Sequence, residues 1–302
     1  MELNSFQEEM RHFLPEIELR FAEPMKCHTS LRIGGPAEVM AFPKTSQELS
    51  LILKVSKELD ITYAILGAGT NILAPDEGCK GLVICLKDCL SGMELLPESQ
   101  IRVMAGVTMA RAAVFAANNG LSGLEFAHGI PGTVGGGVYM NAGAYGGEIG
   151  AICKTVTLMD REGNLRERND ADMEFSYRHS RLQEGGDIVI SAVLQLKPAA
   201  PEDVKQKMKE LQAKRIASQP LDYPSAGSAF KRPVGGYAAA LIDQAGLRGF
   251  QVGQAAIAQK HAGFAINLGG ATAAEMRELL TQVSDQVFRQ TGIRLEPEIR
   301  IW

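Results

Sequence analysis

The stretch His128–Glu148, HGIPGTVGGGVYMNAGAYGGE, constrains this chain more than any other. Eight of its residues are glycine, and only Glu148 carries a formal charge. Glycine admits positive φ and has no Cβ, so backbone built from it can come close to a ligand. Successive backbone N–H groups in such turns form concave nests that take anions such as phosphate. A flexible linker would be rich in serine or charge. Here Ile130, Val134, Val138, Tyr139, Met140 and Tyr145 call for burial, so a loop packed against the rest of the protein is expected.

A second glycine turn supports this reading. ITYAIL (61–66) has the pattern of a buried strand and runs directly into Gly67-Ala68-Gly69-Thr70-Asn71. The Rossmann fingerprint is absent, because Ile72 stands where its third glycine would be. No Gly-Lys dipeptide occurs, so there is no Walker A loop either.

The chain's 302 residues suffice for two or three domains. A net charge of −4 without a basic patch argues against nucleic acid as partner. No apolar run approaches the roughly 20 residues that span a bilayer, so no membrane role is expected. MELNSFQEEMRHFL has no apolar core of a signal peptide. Five cysteines without a C-x-x-C pair suit free thiols in a reducing cytoplasm. The five histidines are scattered and no H-E-x-x-H occurs, so no metal site is expected.

Taken in order, residues 1–24 read as a short amphipathic helix and an entry segment. Gly34-Gly35-Pro36 reads as a turn before a strand at Val39–Phe42. Thr45 and Glu48 form a capping-box pattern opening a helix. Residues 81–87 and 101–106 read as strands, and Thr108–Asn119 as a helix ended by Gly120. Residues 153–160 and 165–169 form a hairpin about Arg161–Asn164. Residues 187–197 read as a strand whose apolar side chains alternate. Ala199–Glu202 marks a domain boundary before a charged helix, Glu202–Ala217. Further helices are expected near Tyr237–Ala245 and after a Thr272/Glu275 cap, the latter closed by Gly292. The last strand is interrupted by Pro297. Strand-rich segments with glycine turns, followed by a smaller α+β domain, point to a large cofactor held by the first two-thirds.

Three positions combine a reactive side chain with unusual context: Arg178 in FSYRHSR, Ser228 in PSAGSAFKRP and Glu298 in LEPEIRIW. Each has an ordinary alternative: a surface arginine, a loop serine bonded to local backbone, a paired edge charge. Ser228-Ala229-Phe230-Lys231 also matches S-x-x-K, the nucleophile motif of β-lactamases and penicillin-binding proteins. That motif opens a helix, whereas Pro233 and Gly235-Gly236 follow Lys231 closely, and no K-T-G occurs.

HTSLRIGGPAE, ILGAGTNIL, GIPGTVGGGVYMNAGAYGGE, FSYRHS, GSAFKRP, KHAGFAIN and LEPEIR come in this order along nearly the whole chain. Together they resemble the motifs of the UDP-N-acetylenolpyruvoylglucosamine reductases of bacterial cell-wall synthesis, in the shorter of the family's two types. That type lacks an inserted substrate-gating segment, so no gating tyrosine is carried over.

The resemblance implies an α+β fold. An FAD-binding module of the vanillyl-alcohol-oxidase type would comprise subdomains at 1–80 and 81–200, followed by a substrate-binding domain at 201–302. It implies FAD as cofactor and NADPH as reductant. The implied substrate is the small molecule UDP-N-acetyl-3-O-(1-carboxyvinyl)-glucosamine, whose enolpyruvyl ether is reduced to the lactyl ether of UDP-N-acetylmuramate in the cytoplasm. Arg178 would stabilise the enolate, helped by Glu298 in its protonated form, which apolar surroundings favour. Ser228 would protonate the carbanion. Leu66, Gly67, Gly69, Thr70, Asn71, Gly129, Ile130, Pro131, Gly132, Thr133, Gly136, Gly143 and Ala144 would contact FAD. Lys231, Arg232 and Lys260 would contact the substrate, although Arg232 stands where some members carry asparagine. A monomer is compatible with all of this. The alternatives are a flavin oxidase of the same superfamily, a serine acyl-transfer enzyme, and a non-enzymatic nucleotide-binding module.

Overall fold

The computed structural model describes residues 2–302. The chain divides into two compact units, each assembled from separated segments. The first comprises residues up to Phe21, Val39–Ala68 and Lys80–Ala213, and the second Ala22–Glu38, Gly69–Cys79 and Lys214–Trp302. The division is thus interleaved, where the sequence reading draws three continuous blocks. It also falls inside the helix Pro201–Ser218, past the boundary expected at Ala199–Glu202.

The first unit has two cores. One lies on a four-stranded sheet ordered Glu18–Pro24, Pro36–Phe42, Cys79–Cys85, Tyr63–Leu66, most of which belongs to this unit. Tyr63–Leu66 runs parallel to its neighbour, with Tyr63 opposite Leu82 and Leu66 opposite Cys85. The helices Glu2–Phe13 and Ser46–Glu58 bury Phe6, Met10, Leu49, Ile52 and Leu53 in this core. Thr45 caps the second helix by accepting from the Glu48 amide at 3.1 Å. The return bond of the expected capping box goes one residue further back, from the Lys44 amide to Glu48 Oε2 at 2.6 Å.

The other core lies on an antiparallel sheet ordered Leu165–Asn169, Cys153–Met159, Ile188–Gln195, Gln100–Met104, Met93–Leu96. Ile188–Gln195 corrects one expectation. Its residues are buried on both faces from Ile188 to Leu194 and do not alternate with exposed ones. The physical reason is its position: Ile188 and Ile190 enter the first core, whereas Val189, Ala192 and Leu194 enter the second. A strand covered on both sides loses the period-2 polarity that a half-exposed strand shows.

In the second unit an antiparallel sheet runs in the order Ser225–Ser228, Phe264–Asn267, Ala255–Ile257, Gln251–Val252. The helix Ala273–Thr291 packs Met276, Leu279, Leu280, Val283 and Val287 into the core beneath it. Thr272 and Glu275 form a complete capping box there. Asp76 adds a second cap: its carboxylate accepts from the Ala273 and Ala274 amides at 2.7 and 3.0 Å. A negative group at a helix N-terminus is favoured by both hydrogen bonding and the helix dipole. The C-terminal strand is reduced to Arg300–Ile301, which pairs in parallel with Ile72–Leu73. Among the described residues, no helix is long and apolar enough to cross a membrane.

Candidate functional site

Parts of the two glycine turns, Gly67-Ala68 and Gly129–Thr133, meet within the first unit. A Cβ on Gly67 would lie 2.7 Å from Thr133 Oγ1, so this approach requires glycine. Residues 132–135 are zipped to 105–109: the Met109 amide donates to Gly132 O, Val134 to Val107 O and Gly135 to Ala105 O, at 2.8–3.0 Å. The middle of the expected loop is a six-residue helix, Val134–Tyr139. Thr133 caps it, accepting from the Gly136 amide at 3.3 Å. Three consecutive glycines disfavour a helix by propensity. Packing overrides this, because only glycine lets the helix backbone approach Ala105 and Met109, 2.9 and 2.8 Å from Cβ positions on Gly135 and Gly137.

Several amides in these turns are left over. Among the described residues of the first unit, no hydrogen bond engages the amides of Gly67, Ala68, Gly129, Gly132 or Thr133; in the second unit the amides of Gly69 and Asn71 are likewise unengaged. His128 Nδ1, beside Gly129, is also buried without a partner. Buried donors and acceptors are normally paired, so this cradle fits a phosphate-bearing cofactor of the kind FAD is. Leu66 is buried in front of it, and Ile130 is half-buried with its own amide donated to Ala127 O. The Gly136 amide is already taken by Thr133.

Arg178 sits at the tip of a turn closed by reciprocal Ser176–His179 backbone bonds of 3.1 Å. Its φ of +56° is unusual for a residue with a side chain. Three neighbours hold it there. Gln183 Nε2 donates to Arg178 O at 3.0 Å and to Tyr139 O at 3.1 Å. Ser180 Oγ donates to Tyr139 O at 2.8 Å. The fully buried Asn141 donates to Ser176 O at 2.9 Å and accepts from the Gly150 amide at 2.8 Å. The Arg178 guanidinium donates to Gly143 O at 3.2 Å, where Gly143–Ala144 pairs with Gly147–Glu148. The sequence reading missed Asn141, Ser180 and Gln183. Their signal was a polar residue at the end of the glycine stretch and two just past Arg178.

In the second unit Ser228 ends its strand opposite Phe264, exposed, and its hydroxyl has no hydrogen-bond partner among the described residues. Glu298 is half-buried, its amide donating to Ala229 O at 2.9 Å and its carbonyl accepting from Asn71 Nδ2 at 3.1 Å. Phe230 bridges to Pro297, so the Ser228 and Glu298 segments are joined by backbone. Lys231 forms an ion pair with Glu296. Arg232 stacks over Tyr237 at 4.2 Å, and Lys260 Nζ donates to Ile216 O at 2.6 Å. Ser228 to Lys231 is strand and extended segment, not a helix start, and Lys231 is engaged elsewhere; both facts count against acyl transfer. Burial pushes the Cys153 thiol up to about 12 and the Cys89 thiol up to about 11, so neither is a thiolate nucleophile at neutral pH.

A sheet-rich unit whose glycine turns leave amides unengaged defines a binder of a phosphate-bearing cofactor, and its similarity to known proteins places it among FAD-dependent oxidoreductases. The family described as "FAD binding domain" matches residues 37–168. The C-terminal domain of UDP-N-acetylenolpyruvoylglucosamine reductase matches residues 219–302. The reductase of that name from Agathobacter rectalis is 43% identical, covering 98% of both chains. The one from Lactobacillus acidophilus is 44% identical over 94% of this chain and 95% of its own. The crystal structure of the reductase from Thermus caldophilus is 35% identical with a TM-score of 0.81, covering 95% of this chain and 99% of that one. An alkyldihydroxyacetonephosphate synthase, 15% identical at a TM-score of 0.50 over 65% of this chain and 40% of its own, shares the fold alone. This chain belongs to the UDP-N-acetylenolpyruvoylglucosamine reductase family of FAD-dependent oxidoreductases.

Proposed function

We propose that the chain reduces the enolpyruvyl ether of UDP-N-acetylglucosamine to the lactyl ether of UDP-N-acetylmuramate, with NADPH as reductant, in the cytoplasm and as a monomer. The free amides of the two glycine turns would bind the FAD pyrophosphate, with Leu66, Ile130, Pro131, Gly143 and Ala144 along the cofactor. FAD held there would supply hydride chemistry between NADPH and the methylene carbon of the substrate's enolpyruvyl group. Negative charge then builds on the neighbouring carbon and spreads into its carboxylate. Arg178, held by Gln183, Ser180 and Asn141, offers a preorganised cation to that charge. Glu298 assists.

Ser228 delivers the proton. A serine hydroxyl is a poor acid in water, but a carbanion beside a carboxylate is a far stronger base than an alkoxide. The transfer is therefore downhill, and positioning is the main requirement. A hydroxyl exposed and unbonded to the rest of its unit is suited to this, and that is the observation carrying the assignment. Lys231, Arg232 and Lys260 would meet the UDP phosphates or the substrate carboxylate, the first and last after leaving their present partners. NADPH would use the substrate's site before the substrate arrives. The flavin-binding part would consist of 1–80 and 81–200, ahead of a substrate-binding 201–302.

An anaerobic absorbance titration of the FAD-loaded protein tests the reading. The flavin spectrum should bleach with NADPH and return with the enolpyruvyl sugar. Ser228→Ala should bleach normally and recover about 10²- to 10⁴-fold more slowly, the usual range for a lost acid–base group. Equal loss of both half-reactions would remove Ser228 from the chemistry. Bleaching without recovery in the wild type would favour a flavin oxidase of the same fold.

A further inference from the structure

On the edge strand of the first unit's larger sheet, two arginines stand on the core side. Arg166 pairs with Leu158 and Arg168 with Val156, and cross-strand partners share a face. Leu158 and Val156 are core residues, 2% and 0% exposed. Beyond the arginines lies a cavity of about 160 Å3, floored by Leu158, Met173 and Leu182. Arg166, Arg168 and Arg181 line it, with Asp172 and Asp187.

The charges in this lining are unevenly satisfied. Arg166 is paired with Asp187, whose side chain is 17% exposed. Asp172 Oδ2 accepts from the Asn169 amide at 3.4 Å. Arg181 reaches Glu174 at 3.5 Å, but both side chains are more than half exposed, and such pairs contribute little. Arg168 is half-buried, and no hydrogen bond or ion pair engages its guanidinium among the described residues. One free guanidinium fork and one weakly held one therefore converge on the same space.

We propose that this cavity binds the phosphate group of a small anion, held by Arg168 and Arg181, with Arg166 at its rim. Guanidinium forks match phosphate oxygens bidentately, which is why arginine recurs at such sites. The size agrees: an engineered cavity of about 150 Å3 takes up benzene, roughly six heavy atoms. Phosphate has five heavy atoms, whereas pockets for larger ligands run to about 300 Å3 and more. The exposed Arg166 and Arg181 mark a mouth through which the remainder of a phosphomonoester can extend. The site lies at the neck of the 173–181 loop, where the Arg181 amide donates to Met173 O at 2.9 Å.

Titration calorimetry of the FAD-loaded protein with inorganic phosphate at constant ionic strength tests this. Loading with FAD keeps the glycine cradle filled. Saturable binding should weaken about tenfold in Arg168→Gln, the loss of one charge-assisted contact, and only partly in Arg168→Lys. Glycerol phosphate in a parallel titration separates two sources of the same group: equal or tighter binding identifies an ester, and loss of binding identifies free phosphate. Equal phosphate binding by wild type and Arg168→Gln overturns the proposal. So does unchanged binding accompanied by self-association of the variant in light scattering, which would make the arginine a guard of the strand edge.

Discussion

The two units carry their candidate residues in opposite ways. In the first, the candidate site is built on backbone. The amides of Gly67, Ala68, Gly129, Gly132 and Thr133 are unengaged, and Arg178 is set by a left-handed φ and by carbonyls bonded to Gln183, Ser180 and Asn141. In the second, the candidates are lone side chains: Ser228, exposed at a strand end, and Lys231 and Lys260 on connecting segments, each paired with a nearby group. A site made of backbone tolerates few substitutions anywhere in its surroundings. A site made of side chains can lose its chemistry and keep its fold.

Breaking the backbone-built region should therefore cost stability first. Asn141→Ala leaves the Gly150 amide without its partner, removes one of the two donors to Ser176 O and puts alanine at φ +43°, which asparagine tolerates better. A loss of about 2–4 kcal/mol is expected, about 1–3 kcal/mol for the unpaired amide and about 1 kcal/mol for alanine in the left-handed region. Urea unfolding should show it, and Ser228→Ala should show no comparable loss.

A smaller, more selective effect should follow from Gly67→Ala. The new methyl meets Thr133 Oγ1 at 2.7 Å and pushes the two glycine turns apart. Overpacking of this kind costs about 1–3 kcal/mol, and here it should appear as roughly tenfold or greater loss of FAD affinity, read by flavin fluorescence. If FAD binds Gly67→Ala as tightly as wild type, the cradle is not where the cofactor sits.

The smallest effect concerns pH and the second unit. Burial holds the His261 pKa below its ordinary value, with Arg248 adding repulsion, and Nδ1 accepts from the Gly263 amide at 3.1 Å. A folded-state pKa below the unfolded one means that the unfolded chain takes up more protons. This stabilisation is therefore present above the unfolded pKa and is lost as pH falls through it toward the lower folded value. Thermal melts from about pH 8 to about pH 5 should decline through the ordinary histidine range, and less steeply in His261→Gln.

What could be seen in the sequence was local. Thr45, Thr108 and Thr272 each cap a helix, because a cap depends on residues three apart. The glycine turns announce themselves by composition. The helix Val134–Tyr139 does not, since its stability comes from Ala105 and Met109, far away in sequence. The double burial of Ile188–Leu194 needs knowledge of both cores. Arg178, Ser228 and Glu298 stood out by local context alone, and the roles proposed for them came only from the family's motifs. Lone side chains of common types carry no periodic signal, and the partners of Lys231 and Lys260 depend on tertiary placement.

The interleaving of the two units bears on how the protein is made. The second unit draws on residues 22–38 and 69–79 as well as on everything after Lys214. On the ribosome, Leu31, Ile33 and Leu73 emerge early, yet the helix and strands that bury them are translated last. These early segments must wait, solvent-exposed, while the first unit condenses between them. Contacts that span most of the chain form slowly, so the nascent protein should rely on chaperones in this interval. A gene cut at codon 214 should give a C-terminal fragment that stays insoluble until the N-terminal fragment is supplied.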